Sequence, residues 1–258
     1  MKKSETKRAT VQTTPKPKDK IKVITLPNDV ALANIVAHEW IQQLATRPPD
    51  SGNYCVALSG GRIAKTFSSA VANLAKARKL DFKSVHFFWG DERCVPPTDA
   101  ESNFAIAQQL IFTPLAIPET QIHRIHGEND PATAAKEAAA ELCRLAPSFD
   151  KQPVFDMIFL GLGEDGHTAS LFPGEPAKSV NDKAVYRPVI GPKPPPRRIT
   201  LGYQTIAAAR LVWVLASGVG KEKALQDSLV ADGKTPLGRV LKLRSQTKIY
   251  TDIPLPKP

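Results

Sequence analysis

A single histidine, His167, lies in a cluster of glycines and acidic residues in the segment 161–174, GLGEDGHTASLFPG. This segment follows FDMIFL, an apolar run that is typical of a buried strand. An imidazole has an ordinary pKa of about 6.5, so it can accept a proton at neutral pH. We therefore expect His167 to be a catalytic base and Asp165 to orient its ring or support its charge. The alternative, a histidine with a purely structural role, stays open at this point.

Glycines and cationic side chains follow three other apolar runs. Close behind YCVAL, VHFFWG and LVWVLASG come, respectively, Ser59 with Gly60 and Gly61, then Arg93, then Lys221. Glycine lets the backbone approach a ligand, and the amides at a helix start hold phosphate oxygens. Arginine and lysine add positive charge. These residues predict a binding site for a phosphorylated ligand.

Each of these residues also has a simpler interpretation that the sequence leaves open. Residues 59–61 can be a plain tight turn, and Lys221 can be a solvated surface side chain. Asp91, Glu92 and Arg93 can form an ion pair at the end of a strand.

Several well-known site motifs do not fit this sequence. The Ser-Gly-Gly segment matches neither the P-loop GxxxxGKS/T nor the dinucleotide-binding GxGxxG, and the chain has no GxSxG elbow. The histidines show no HExxH spacing or other metal-ligand pattern. Serine-hydrolase chemistry and a metal site are therefore disfavoured.

The apolar runs alternate with helical patterns along the chain. Strands are predicted at 21–26, 54–58, 84–90, 154–163, 209–218 and 247–252, and helices at 29–47, 64–80, 102–112 (Ser102 as N-cap), 131–146 and 221–233. This alternation indicates an α/β fold with an open, mostly parallel sheet and helices on both faces. In such a sheet, ligands bind at the carboxyl ends of the strands, where the candidate residues fall.

Two segments look like irregular loops. Residues 91–101, DERCVPPTDAE, are polar, and residues 173–198 are proline-rich and contain GPKPPPRR. The second segment is predicted to lie on the surface, and partner binding at KPPP in a polyproline conformation is an alternative role for it.

Half of the net charge of +10 lies in the first 20 residues, which hold seven basic and two acidic side chains. We expect residues 1–20 to form a disordered basic tail and residues 21–258 to form a single α/β domain. The tail lacks interleaved aromatic side chains that would stack on bases, so a nucleic-acid partner is disfavoured. Weak contact with an anionic surface stays an alternative.

No apolar run approaches the ~20 residues that a membrane-spanning helix needs, and the N-terminal sequence lacks the apolar core of a secretory signal. The cysteines, Cys55, Cys94 and Cys143, show no CxxC spacing and suit a reducing compartment. We therefore expect a cytoplasmic protein without a membrane partner. The sequence leaves the oligomeric state open, a monomer included.

Taken together, these segments resemble the 6-phosphogluconolactonase family over about residues 25–243. The family pattern has LSGG after a core strand and WGDERxVP after the next strand. It continues with SNY or SNF, GxGxDGHTASLFPG, RITL and GxGK. The corresponding segments here are 58–61, 89–96, 102–104, 161–174, 198–201 and 218–221. The order and spacing of these motifs are far more specific than any one of them.

The resemblance implies a Rossmann-like α/β fold, shared with glucosamine-6-phosphate deaminases and ribose-5-phosphate isomerases. It implies hydrolysis of 6-phospho-D-glucono-1,5-lactone to 6-phosphogluconate, the second step of the oxidative pentose phosphate pathway, with no metal and no organic cofactor. The partner it implies is a small molecule, a phosphorylated sugar lactone, and the residues expected to bind it are Ser59, Gly60, Gly61, Arg93, Arg198 and Lys221.

The chain departs from the family pattern in two places. The family often continues LSGG with Ser-Thr-Pro, where this chain has Arg62, Ile63 and Ala64. It often follows RITL with Thr, where this chain has Gly202. The first change removes a hydroxyl from the expected phosphate site, and the charge of Arg62 could compensate for it.

Three other functions have to be compared with the lactonase. Aminosugar-phosphate deaminases resemble DGHIAFNEPG and Asp-Glu-Tyr where this chain has DGHTASLFPG and Asp-Glu-Arg. A non-catalytic sugar-phosphate-binding regulator is disfavoured because His167 and Asp165 are both present. A nucleic-acid binder would act through the basic tail, and its binding would weaken with salt.

Overall fold

The computed structural model describes residues 21–48 and 50–255, and the basic tail predicted for residues 1–20 lies outside them. The strands are β1 (Ile21–Thr25), β2 (Tyr54–Leu58), β3 (Val85–Trp89), β4 (Asp91–Arg93), β5 (Ser148–Phe149), β6 (Gln152–Pro153), β7 (Met157–Gly161), β8 (Tyr186–Ile190), β9 (Arg197–Leu201), β10 (Leu211–Ala216) and β11 (Thr247–Thr251). The helices are α1 (Asp29–Ala45), α2 (Arg62–Arg78), α3 (Asn103–Ala107), α4 (Thr113–Leu115), α5 (Pro131–Leu145), α6 (Tyr203–Ala208), α7 (Glu222–Leu229) and α8 (Pro236–Leu243).

Six strands form one parallel sheet in the order β1-β11-β10-β7-β2-β3. Each of them lies within an apolar run that the sequence predicts as a strand, so the expected α/β fold with a mostly parallel sheet is confirmed. The chain leaves β2 towards β3 on one side, whereas β7 leads to β10 on the other side. This reversal of direction creates a crevice at the carboxyl ends of β2 and β7.

Aromatic side chains pack against both faces of this sheet. Trp40 of α1 and Phe67 of α2 contact Phe159 of β7, with ring centroids 5.2 and 4.6 Å away. Neighbouring residues of β3 point to opposite faces, because Phe87 contacts Phe112 whereas its neighbour Phe88 contacts Phe155. Burial of this apolar surface stabilises the sheet, and the sheet in turn holds the ends of the loops at its edge in place.

A second, antiparallel sheet corrects two of the predictions. Its strand order is β4-β9-β8, so the predicted loop 91–101 begins as a strand, and the predicted loop 173–198 contains β8 and the start of β9. β4 consists of the charged residues Asp91–Arg93 and therefore has no apolar pattern that predicts a strand. Backbone pairing with β9 holds it in the sheet. Pro188 is tolerated because β8 is an edge strand, where one row of backbone N–H groups has no partner strand.

The helices agree with the sequence in most places. Ser102 caps α3 as predicted, accepting a hydrogen bond from the Ala105 backbone N–H at 3.2 Å, and the helical path continues through a π-helical turn at Gln108–Phe112. The short helices α4, α6 and α8 were not predicted from the sequence. No helix in the described part of the chain has the length and apolarity needed to cross a bilayer.

A buried arginine closes the C-terminal end of α6. Arg244 is 5% exposed, and its Nη1 donates to the carbonyl oxygens of Ile206, Ala207 and Ala209 at 2.8–2.9 Å. Burial lowers the pKa of Arg244 to about 10. One guanidinium therefore satisfies the carbonyl groups that a helix end leaves without intrahelical partners.

Replacing this arginine tests its structural role. We expect Arg244→Met to lower the free energy of unfolding by about 2–4 kcal/mol, because several buried carbonyl groups lose their donors. The measurement is urea unfolding, with Lys242→Met, an exposed cation on α8, as the matched control. Equal stability of both variants would contradict the assignment.

Candidate active site

The chain folds back on itself directly after β7, and this turn positions His167. The Gly163 backbone N–H donates to the His167 carbonyl oxygen at 2.9 Å, and the Gly166 N–H donates to the Gly163 oxygen at 3.0 Å. The His167 ring lies over Gly163 so closely that a Cβ atom at Gly163 would overlap it. Position 163 therefore has to be glycine for the His167 ring to occupy this place.

Asp165 fixes the orientation of the His167 ring. Its Oδ1 lies 2.5 Å from His167 Nδ1 and also accepts the His167 backbone N–H at 3.1 Å. Because a carboxylate only accepts hydrogen bonds, we assign the ring proton to Nδ1, which leaves Nε2 as the basic nitrogen. Burial acts to raise the pKa of Asp165, but the hydrogen bonds and charge of His167 outweigh it and hold that pKa below its ordinary value.

The turn after β2 presents the start of α2. Gly61 occupies the N-cap position without a side-chain hydrogen bond, and the first turn of α2 contains no acidic residue. The first backbone N–H groups of this helix therefore have no capping side chain, which makes them suitable donors for an anion.

Arg93, at the end of β4, is anchored by a neighbouring loop. Its Nη1 donates to the Glu101 carbonyl oxygen at 2.6 Å and lies 3.2 Å from the Glu101 carboxylate. The alternative of an ion pair among Asp91, Glu92 and Arg93 does not describe this arrangement, because Asp91 accepts instead from the Ser170 hydroxyl at 2.5 Å. One edge of the guanidinium is thereby fixed.

Glu92 joins β4 to the N-terminus of α3. Its carboxylate accepts the backbone N–H groups of Arg93, Asn103 and Phe104, each at 2.8 Å, and the Ser102 hydroxyl at 3.1 Å. Burial raises the pKa of Glu92 to about 7, and these backbone hydrogen bonds oppose the rise. The carboxyl group thus fixes Arg93 relative to Asn103.

Two further cations come from β9 and from the turn after β10. Arg198 is 5% exposed, and its Nε donates to the Pro195 carbonyl oxygen at 3.0 Å. Lys221 occupies the N-cap position of α7. Burial first, and then the positive charge of Arg62, lowers the pKa of Lys221; Lys193 adds to this effect, whereas nearby carboxylates oppose it.

These residues meet at one cavity of about 240 Å³ at the carboxyl ends of the central strands. Seven of the eight predicted site residues line the cavity: Ser59, Gly60, Gly61, Arg93, His167, Arg198 and Lys221. The eighth, Asp165, reaches it through its contact with the His167 ring. The cavity therefore holds one basic nitrogen and several cations within reach of a single small ligand.

Four further polar residues, not predicted from the sequence as site residues, also line this cavity: Asp91, Asn103, Glu164 and Lys193. Asn103 is 2% exposed, and its Nδ2 donates to the Asp91 carbonyl oxygen at 2.8 Å, whereas no described residue donates to its Oδ1. Asp91 and Asn103 lie inside the family motifs at 89–96 and 102–104, so their positions in these motifs could have identified them as site residues. Lys193 lies in the proline-rich segment, where only the β8–β9 pairing brings it to the site.

The chain is similar to proteins of known families. A family model described as glucosamine-6-phosphate isomerases/6-phosphogluconolactonase matches residues 27–250. A 6-phosphogluconolactonase of Haemophilus influenzae is 34% identical over 200 residues, covering 76% of this chain and 84% of that protein. A human 6-phosphogluconolactonase is 35% identical over 212 residues, covering 82% and 81%.

The fold is also similar to solved structures. The structure of 6-phosphogluconolactonase from Trypanosoma cruzi matches with a TM-score of 0.79 and 26% identity, covering 90% of this chain and 95% of that chain. Among the residues described here, no group of three or more His, Cys, Asp or Glu side chains is arranged to hold a metal ion.

The close approach of His167 to Gly163 can be tested by filling the space between them. We expect Gly163→Ala to lower turnover about 100-fold, because the new methyl group displaces the imidazole from its place in the cavity. The matched control is Gly90→Ala, where the added Cβ atom meets no atom closer than 3.6 Å. Steady-state assays and melting temperatures of both variants separate loss of the site from loss of the fold; full activity of Gly163→Ala would contradict the role of this contact.

Proposed function

The chain belongs to the glucosamine-6-phosphate isomerase/6-phosphogluconolactonase family, and we propose that its 240 Å³ cavity hydrolyses 6-phospho-D-glucono-1,5-lactone to 6-phosphogluconate with His167 as the base. The reaction is a step of the pentose phosphate pathway. The observation that carries the mechanism is the pairing of Asp165 with His167 Nδ1 at 2.5 Å, which leaves Nε2 free in a cavity rich in cations.

The cations and amides of the cavity bind the phosphate group. Lys221 and the Ser59–Gly61 turn supply positive charge and N–H donors, and Arg93 and Arg198 add guanidinium groups. Arg93 is held by Glu101 and Arg198 by Pro195, so neither side chain has to be ordered when the substrate arrives. Binding of the phosphate by these groups fixes the lactone ring relative to His167, and such positioning lowers the barrier to reaction.

The chemical step is a proton-assisted attack of water. Neutral His167 takes a proton from water through Nε2 while the water oxygen adds to the C1 carbonyl carbon. The tetrahedral intermediate then breaks its bond to the ring oxygen, and the imidazolium returns the proton to that oxygen. The products are a free hydroxyl group and a carboxylic acid that ionises in water.

Asp165 acts on this step through His167. It holds the ring in the tautomer that exposes Nε2, and its negative charge stabilises the imidazolium that forms. The lactone is already an activated ester, so the mechanism needs neither a covalent nucleophile nor a cofactor.

The proposal also covers the extent of the catalytic domain and the cellular compartment. We take residues 21–258 as one catalytic domain, because the residues that line the cavity come from both halves of the chain, from Ser59 to Lys221. The cysteines Cys55, Cys94 and Cys143 form no disulfide, which suits the cytoplasm.

Replacing the proposed base tests the mechanism. We expect His167→Ala to lower turnover of freshly made 6-phosphogluconolactone about 10²–10⁴-fold, since general acid–base catalysis typically contributes this much. Stopped-flow measurement separates the enzymatic rate from spontaneous hydrolysis, and calorimetry should show that the variant still binds 6-phosphogluconate.

The matched control is His126→Ala, which removes an imidazole with 46% side-chain exposure that is not part of the cavity. Unchanged turnover of His167→Ala would remove His167 from the catalytic role. Release of ammonia from glucosamine 6-phosphate by the wild-type protein would instead support the deaminase alternative.

A further inference from the structure

The cations of the cavity fall into two groups according to their protein partners. Arg93 is paired with Glu101, and Arg198 donates to carbonyl oxygens of the β8–β9 loop. By contrast, the side chains of Arg62, Lys193 and Lys221 form no hydrogen bond or ion pair with any described residue. Charged groups that share a cavity and lack partners are available for an anionic ligand.

Arg62 connects the turn after β2 with the turn after β10. It is the first residue of α2, and its Nη2 lies against Gly218 so closely that a Cβ atom at Gly218 would overlap it. Gly218 has a φ of +104°, a conformation that favours glycine. The guanidinium therefore extends across the turn that leads to Lys221.

The position of Arg62 in its helix is electrostatically unfavourable in the unliganded protein. A helix N-terminus carries a partial positive charge, and the first turn of α2 contains no acidic residue to offset it. Arg62 also acts on Lys221, because its charge helps to lower the pKa of that ammonium group. A bound dianion would relieve both repulsions at once.

We propose that Arg62 binds the phosphate group of the sugar lactone together with Lys221 and the N–H groups at the start of α2. This proposal rests on the proposed function and specifies which end of the cavity holds the phosphate. The guanidinium replaces the hydroxyl of the family's usual serine with a planar donor that fits two phosphate oxygens. Arg62 thereby contributes to selection of phosphorylated over unphosphorylated lactones.

The test compares three substitutions at position 62 with a matched control. Arg62→Ala should raise KM for 6-phosphogluconolactone and the Kd for 6-phosphogluconate about tenfold or more, as expected for loss of a charge-assisted hydrogen bond. Arg62→Lys should recover part of the affinity, and Arg62→Ser, which restores the hydroxyl of the family pattern but no charge, should recover less than Arg62→Lys. Lys65→Ala removes an exposed cation on the same helix that does not line the cavity, so it should change neither constant more than about twofold.

Unphosphorylated gluconolactone distinguishes binding of phosphate from support of the fold. The proposal predicts that Arg62→Ala affects this substrate far less than the phosphorylated one. Equal losses on both substrates, together with a lower melting temperature, would show that Arg62 only supports the Gly218 turn. Constants for Arg62→Ala equal to those of Lys65→Ala would also overturn the proposal.

Ligand titrations distinguish a failure of the proposed lactonase activity from a failure of the proposed role of Arg62. If the wild-type protein did not hydrolyse the lactone, the titrations of wild type and Arg62→Ala with 6-phosphogluconate and with inorganic phosphate would still measure the contribution of Arg62. Weaker binding of both ligands by Arg62→Ala would then support the phosphate site, and equal binding would contradict it.

Discussion

Strands β2 and β7 lie side by side in the middle of the parallel sheet, with Val56 paired to Met157 and Ala57 paired to Ile158. They are far apart in the chain, and their contact brings the Ser59–Gly61 turn next to the turn that contains His167. The neighbouring strands β3 and β10 then add the segments that carry Arg93 and Lys221. Every proposed function of the cavity depends on this pairing, because the carboxyl ends of parallel strands meet at one edge.

The cavity is electrostatically one-sided. Five cationic residues line it, whereas only Asp91 and Glu164 among the lining residues are acidic. Like charges held close together repel one another, and burial together with the repulsion from Arg62 and Lys193 lowers the pKa of Lys221. A doubly charged phosphate reverses the situation, because it attracts each cation and also the uncapped N-terminus of α2. Asp165 and His167 do not need the phosphate as a partner, because His167 Nδ1 and the Asp165 carboxylate are hydrogen-bonded to each other.

The strands of the central sheet could be predicted from the sequence because buried parallel strands appear as apolar runs, and most of the predicted site residues line the cavity because they follow those strands directly. The antiparallel sheet could not be predicted in the same way. β8 contains Pro188 and lies in a proline-rich segment, and its strand character comes from pairing with β9. Lys193 was missed for that reason. Arg62 drew attention only as a departure from a pattern; its contact with Gly218 depends on long-range packing that local sequence does not specify.

The most direct test of the central claim is a crystal structure of the protein with 6-phosphogluconate bound. We expect the phosphate within about 3 Å of Lys221 Nζ and the amides of the Ser59–Gly61 turn, and the C1 carboxylate next to His167 Nε2. A phosphate bound beside His167 with C1 at the opposite end, or a sugar acid outside the cavity, would contradict the account.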